Sequence, residues 1–192
     1  MSDSLQEIHQ LAEEMTQMGR KRIVEVGSGK GLFLCRYASL FPNHEIIGLE
    51  LAKKYAEMSQ VKLTKLGHVN ASCLAVDAGR WMAEQPDLSL DEVHVYFPDP
   101  WWKKRHKKRR VLNETMVRNI ERTLKQNGEL HFWTDVLEYF ESTLELLAAH
   151  TKLSGPEFVP EALPENDMDY RTHFERRTRL NQLPVYRSLF RK

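Results

Sequence analysis

The sequence predicts an α/β domain built on a mostly parallel sheet, and three observations carry that expectation. Short apolar runs that read as buried strands recur along the chain, separated by segments of helical period. Successive strands close on an acid, at Glu25, Glu50, Asp77 and Asp99, with spacings of 25, 27 and 22 residues, about one strand–helix unit each time. The first strand runs into a glycine-rich turn, Gly27-Ser28-Gly29-Lys30-Gly31, ahead of an apolar helical stretch. In a parallel α/β sheet the carboxyl ends of the strands share one edge, and the ligand crevice forms there. At 192 residues the chain is expected to form one domain, 1–192, burying about 70% of its unfolded surface.

Taken in order, Leu5, Ile8, Leu11, Ala12, Met15 and Met18 lie at helical spacing behind Ser4, a suitable N-cap, which predicts an amphipathic helix within residues 1–20. Residues 23–26 form the first strand, and the helix after the glycine turn reaches about Leu40. A second strand covers 45–49, a helix over 52–66 stops at Gly67, and a third strand covers 71–76. The fourth strand, 93–97, is halted by Pro98 and Pro100, neither of which can continue a central strand. Asn113 caps a helix carrying Met116, Val117, Ile120 and Leu124 that is expected to end at Asn127-Gly128. The fifth strand, 129–133, closes on Thr134-Asp135, and 136–150 is an amphipathic helix. Residues 153–183 read as a loop or insert, its first part rich in Pro, Glu and Asp without period, before a closing strand over 185–190.

Composition bounds the function. Hydrophobic content of 41% and charged content of 29% are ordinary for a soluble globular protein. No apolar run approaches the roughly 20 residues of a membrane-spanning helix, and no basic-then-apolar leader opens the chain, so a cytoplasmic protein without a membrane segment is expected. Cys35 and Cys73 lack the Cys/His spacing of a metal centre and are expected to be reduced core residues, with no metal bound.

The glycine turn discriminates between three ligand classes. A Walker loop would need Gly at 24 and Ser or Thr at 31, where Val24 and Gly31 stand. A dinucleotide fingerprint would place its third glycine at 32, which is Leu32. The pattern that remains, Glu25-Val26-Gly27-Ser28-Gly29-Lys30-Gly31, resembles the first motif of methyltransferases that use S-adenosylmethionine. An acid at the second strand end, Glu50, suits ribose hydroxyls, and one at the third, Asp77, suits an adenine amino group.

After Asp99 the chain turns basic and aromatic. Trp101 and Trp102 precede the run 103–110, in which seven of eight residues are Lys or Arg. Removing those seven leaves 21 of the 28 Lys and Arg against 27 Asp and Glu, so positive charge is concentrated at one place on a mildly acidic body. Such a cluster beside flat rings suits nucleic acid, although a basic run also occurs as a solvated loop.

The combination of EVGSGKG, GLEL, the stretch from Phe97 to Arg110, WTD at 133–135 and T-x-F-E-R at 172–176 resembles the bacterial tRNA (guanine-N7)-methyltransferase family from about Arg22 onward. The resemblance implies a Rossmann-like S-adenosylmethionine-dependent fold, with a mostly parallel seven-stranded sheet and helices on both faces. It implies cofactor contacts from Glu25, Gly27, Gly29, Gly31, Glu50, Asp77 and Asp99, with Asp99 also at the family's proposed catalytic position. Substrate contacts are implied for Lys103, Asp135, Thr172, His173, Phe174 and Glu175. The tRNA-contacting region is implied for Arg105, Lys107, Lys108, Arg109 and Arg110. His173 stands where the family usually has Lys, Trp102 where Pro or His is common, and the N-terminal extension is short. The partners implied are S-adenosylmethionine and tRNA, with the protein a monomer or homodimer. Three rivals remain open at this point: a methyltransferase acting on another RNA or base atom, an RNA-binding protein with a vestigial crevice, and a nicotinamide dehydrogenase, which the glycine spacing disfavours.

Overall fold

The computed structural model describes residues 19–160 and 170–192. The helix expected within residues 1–20 therefore falls almost wholly outside the described residues. Seven strands form one sheet: β1 (Arg22–Val26), β2 (Glu45–Glu50), β3 (Ala71–Ala75), β4 (Leu90–Tyr96), β5 (Leu124–Thr134), β6 (Ser154–Glu157) and β7 (Tyr186–Arg191). Their order is β3-β2-β1-β4-β5-β7-β6, parallel from β3 to β5 and antiparallel at β7 and β6. Among the described residues six α-helices accompany them: α1 (Leu32–Leu40), α2 (Lys53–Lys65), α3 (Ala78–Glu84), α4 (Glu114–Thr123), α5 (Leu137–His150) and α6 (His173–Leu180). The expected architecture is present, with β4 as its central strand and β1 beside it.

Alternation along the strands divides the core in two. Val24 and Val26 of β1, with Ile47, Leu49, Val93 and Val95, pack against α3, α4 and α5 through Met82, Met116, Val117, Ile120 and Leu147. Ile23, Ile46, Ala71 and Cys73 face the other way, onto Phe33 and Leu34 of α1 and Ala56 and Leu63 of α2. Cys35 and Cys73 are buried free thiols within that second layer.

Three expectations need correction. The helix from Asn113 ends at Thr123, not at Asn127-Gly128, because Leu124 leaves the helical conformation and pairs across the sheet with Leu90. An apolar residue at helical spacing also serves a strand when a partner lies beside it, and periodicity alone does not separate the two. β4 accordingly starts at Leu90, with an irregularity between Leu90 and Glu92. The stretch 153–183 is not merely loop: β6 forms the sheet edge beside β7, and α6 follows Thr172. All four residues of β6 are exposed, so backbone pairing rather than side-chain burial defines it.

Candidate active site

A cavity of about 400 Å³ opens at the carboxyl edge of the sheet, beside the strand ends of β1 and β4. Its floor is Glu25, Tyr96 and Phe97; one wall is the turn Gly27-Ser28-Gly29-Lys30, and the facing wall is Thr172, His173, Phe174 and Arg177 at the start of α6. Tyr55 of α2 adds an aromatic ring at the rim.

The glycine turn is built and braced by its neighbours. Gly27 and Gly29 have φ of 81° and 51°, a left-handed conformation natural to glycine, and a Cβ on either would meet nothing within 4 Å. Gly31 differs: a Cβ there would lie 2.7 Å from the Ser59 hydroxyl, so its small size admits α2. Ser59 Oγ donates to the Gly29 carbonyl at 2.9 Å, and Lys62 Nζ donates to the Lys30 carbonyl at 2.8 Å. Glu50 locks the turn to β2, accepting from the Gly29 amide and from the Ala52 amide, each at 2.8 Å. A carboxylate has about four lone-pair sites, so Glu50 retains acceptor capacity toward a ligand.

Glu25 is the electrostatic centre of the crevice. It is 2% exposed, and its Oε2 has no hydrogen-bond partner among the described residues. Burial pushes its carboxyl up to about 8 from the usual 4.5, the Ser28 hydroxyl opposing in part and the Glu50 charge adding to the rise. The carboxyl is therefore mostly neutral at pH 7, and a cation entering beside it would draw it into the charged form.

Beneath Tyr96 lies a second polar group that is satisfied. His94 Nδ1 is 2.7 Å from the Tyr96 hydroxyl, and His94 Nε2 is 3.1 Å from Glu92 Oε2. Lys21 Nζ donates to Glu92 Oε1 at 2.7 Å. Burial, with His131 adding to it, pushes the His94 imidazole down to about 3, so it is neutral at pH 7. Glu92, His94 and His131 bring donor atoms within 4.8 Å of one another. The two imidazoles, however, stack at 4.5 Å with only 11° between their planes. Imidazole lone pairs lie in the ring plane, so these two run side by side instead of converging on one ion.

The remaining sequence-predicted acids lie around the crevice, not in its lining. Asp77 is exposed and caps α3, accepting from the Arg80 amide at 2.8 Å. Asp99 is exposed on the loop after β4, two residues beyond Phe97. Asp135 accepts from Thr178 Oγ1 of α6 at 3.4 Å. Thr172 caps α6 through the Glu175 amide at 3.0 Å, and Glu175 Oε2 accepts from the Arg171 amide at 2.7 Å, a reciprocal cap. Glu175 is 3% exposed, so it shapes the wall from behind.

The loop after β4 holds Asp99 between two residues in left-handed backbone, Phe97 with φ of 48° and Trp101 with φ of 47°. Such conformations cost of order 1–3 kcal/mol each and persist where surroundings over-determine them. Arg110 supplies the determination. It is 7% exposed, donates Nε to the Pro100 carbonyl at 2.9 Å, and donates Nη1 to Ser142 Oγ at 3.1 Å and Nη2 to Glu138 Oε2 at 2.5 Å. Its guanidinium also sits 4.3 Å from the Tyr139 ring centroid. The run itself winds into a 3₁₀ helix, Lys104–Arg109. Lys107 pairs with Glu138 at 2.5 Å, whereas Lys103, Arg105, Lys108 and Arg109 are exposed. Trp101 packs edge-on to His106 and under Arg109, and Trp102 is 69% exposed.

A family model described as "Putative methyltransferase" matches residues 19–188. The chain belongs to this methyltransferase family. It is 49% identical over 177 residues to a tRNA (guanine-N(7)-)-methyltransferase of Rhodopirellula baltica, covering 88% of this chain and 65% of that protein. It is 37% identical over 133 residues to a protein of the same name from Streptococcus pneumoniae, covering 69% of this chain and 63% of that one. The chain thus spans just under two thirds of the length of these relatives. In fold it is similar to a precorrin-6y C5,15-methyltransferase of Geobacter metallireducens, with a TM-score of 0.62 at 19% identity over 90% of this chain and 82% of that one.

Of the residues that line this crevice, sequence reasoning missed Ser28, Lys30, Leu32, Phe33, Tyr55, Tyr96, Phe97 and Arg177. Arg177 was the most accessible of these, since it follows His173 by one helical turn.

Two predictions follow from this geometry. Glu25 has a folded pKa above its unfolded one, so its stabilising contribution is complete below about 4.5 and is lost as pH rises through 8. The melting-temperature advantage of Glu25→Gln over the ligand-free native chain should therefore widen from pH 5 to pH 8, and a constant difference contradicts the assignment. Arg110→Gln should cost about 2–3 kcal/mol in urea denaturation through its charge-assisted bonds. Arg105→Gln, on the exposed face, should stay within about 0.5 kcal/mol of the native chain.

Proposed function

We propose that the chain transfers the methyl group of S-adenosylmethionine to N7 of a guanine in tRNA, in the variable loop. The observation that carries the reading is an unpartnered buried carboxyl in an open-mouthed crevice, with an exposed acid and a basic 3₁₀ helix on the loop that follows its floor. The names of the relatives support it, as does the likeness of the stretch from Phe97 to Arg110 to that family. The residues fit the methyl donor: an orphaned Glu25 oxygen answers a cation, and the open faces of Gly27 and Gly29 admit a ligand against the backbone. Glu25, the Gly27–Lys30 turn and Glu50 would hold it, with Asp77 at the far end of the same edge. Bound there, S-adenosylmethionine supplies a methyl group activated by its positive sulfur.

The chain's own task is positioning. Guanine N7 is an in-plane lone pair without a proton, so attack needs no strong general base. It needs alignment and stabilisation of the positive charge that develops on the ring. Asp99, accepting from the N1–H and N2–H edge, performs both. Lys103, Arg105, Lys108 and Arg109 offer their cations to phosphates, while Lys107 and Arg110 are committed to Glu138 and steady the loop. Phe174 lines the cavity yet is 51% exposed, which offers a turned-out base a stacking face. A cytoplasmic location accords with a tRNA substrate.

Incubation with methyl-labelled S-adenosylmethionine and unmodified tRNA tests the reaction; strand cleavage specific for N7-methylguanosine should locate the label. Label absent from RNA, or on another atom, contradicts it. Asp99→Asn should slow single-turnover transfer at saturating donor by roughly 10²–10³, the range for loss of one preorganised stabilising group. A well-folded variant of near-native rate removes Asp99 from the chemistry. Replacing Lys103, Arg105 and Lys108 with Gln should flatten the log–log salt dependence of tRNA binding by about 2, at roughly 0.7 per phosphate contact. An unmoved slope makes the run a solvated loop.

A further inference from the structure

α6 contributes a whole wall of the crevice, through Thr172, His173, Phe174 and Arg177. It is only eight residues long and strongly polar, so its own helical propensity holds it weakly. Thr178 ties its far half to Asp135 at the end of β5, and a second attachment to the sheet lies just before its first turn. Arg171 Nη1 donates to the Tyr96 hydroxyl at 2.7 Å and approaches the Tyr37 hydroxyl at 3.4 Å. The guanidinium lies 4.6 Å from the Trp133 ring centroid, and the Arg171 amide donates to Glu175. Tyr96 is itself part of the cavity floor, so the Arg171 side chain joins wall to floor.

We propose that Arg171 is the positioning residue that latches α6 over the methyl-donor crevice, with the Tyr96 hydroxyl as its seat. The polarity of the buried polar group supports this. Neutral His94 donates from Nε2 to the Glu92 carboxylate, which Lys21 also holds. Its Nδ1 is then a bare lone pair and accepts from the Tyr96 hydroxyl. That orients the Tyr96 oxygen with its lone pairs toward Arg171, so each donor in the series faces an acceptor. The latch fixes the wall before ligand arrives. Without it, ligand binding has to order α6, and apparent affinity falls with the fraction of molecules in the closed form.

This inference rests on the methyl-donor reading of the crevice, and two readouts on the full chain separate them. Calorimetry with S-adenosylhomocysteine should give Arg171→Gln a dissociation constant about 10–100-fold above the native one, the scale of one charge-assisted hydrogen bond. Arg171→Lys, which keeps a charged donor for Tyr96 but loses the guanidinium over the Trp133 ring, should fall between. In a Tyr96→Phe background the effect of Arg171→Gln should shrink, since the seat is gone. Hydrogen exchange of the ligand-free protein should quicken at amides 172–180 in Arg171→Gln while α1 to α5 stay protected. That local signature distinguishes a latch from general destabilisation. If the native chain binds no S-adenosylhomocysteine, the donor reading fails, and the exchange pattern alone decides whether Arg171 seats α6. If the native chain binds and Arg171→Gln matches it within twofold with unchanged exchange, the latch is wrong.

Discussion

The reversal of strand order at β1 is the constraint on which the rest of the structure depends. From β1 the chain builds outward through β2 to β3, then returns to lay β4 on the opposite side of β1. Helices after β1 and β2 consequently cover one face and those after β3, β4 and β5 the other, as the two apolar clusters show. Where the two halves part company, no connection fills the carboxyl edge, and a crevice opens beside the ends of β1 and β4. The glycine turn, the Glu50 brace and the Tyr96-Phe97 floor all occupy that gap. Their chemistry differs, but their position has one cause.

Electrostatics then separates the part of the gap that binds from the part that supports. Glu92 and His94 are also buried, yet Glu92 is held by Lys21 and by His94, and His94 has a partner on each ring nitrogen. Their network anchors Tyr96 from below. Glu25 alone of these three keeps a buried oxygen without a partner. A buried carboxyl in that condition is costly to the fold, and the cost is relieved when a cation enters. The same division runs through the basic run, in which identical letters have different work: Arg110 is consumed in bracing the Pro98–Pro100 bend, while Arg105 and Lys108 face outward.

Legibility in the sequence followed the range of the interactions. The strands β1 to β5, the glycine turn and the acids at strand ends were readable because each is a pattern within a few neighbouring residues. β6 was not, because Ser154-Gly155-Pro156-Glu157 has no buried face and exists only through pairing with β7. α6 was read as part of a loop: Thr172 and Glu175 spell a capping box, but the helix behind it lacks an apolar stripe. The burial of Arg110 depends on Glu138 and Ser142, some thirty residues further along. Arg171 depends on Tyr96, 75 residues earlier, and no local spacing announces such a partner.

The central claim is that the gap at the strand-order reversal is the methyl-donor site. A crystal structure of the full chain with S-adenosylhomocysteine tests it most directly. The account predicts the ligand enclosed between the Gly27–Lys30 turn and the Thr172–Phe174 wall, with a cationic group of the ligand facing Glu25. A ligand bound elsewhere on the chain, or Glu25 left unpartnered with the ligand in place, would contradict it.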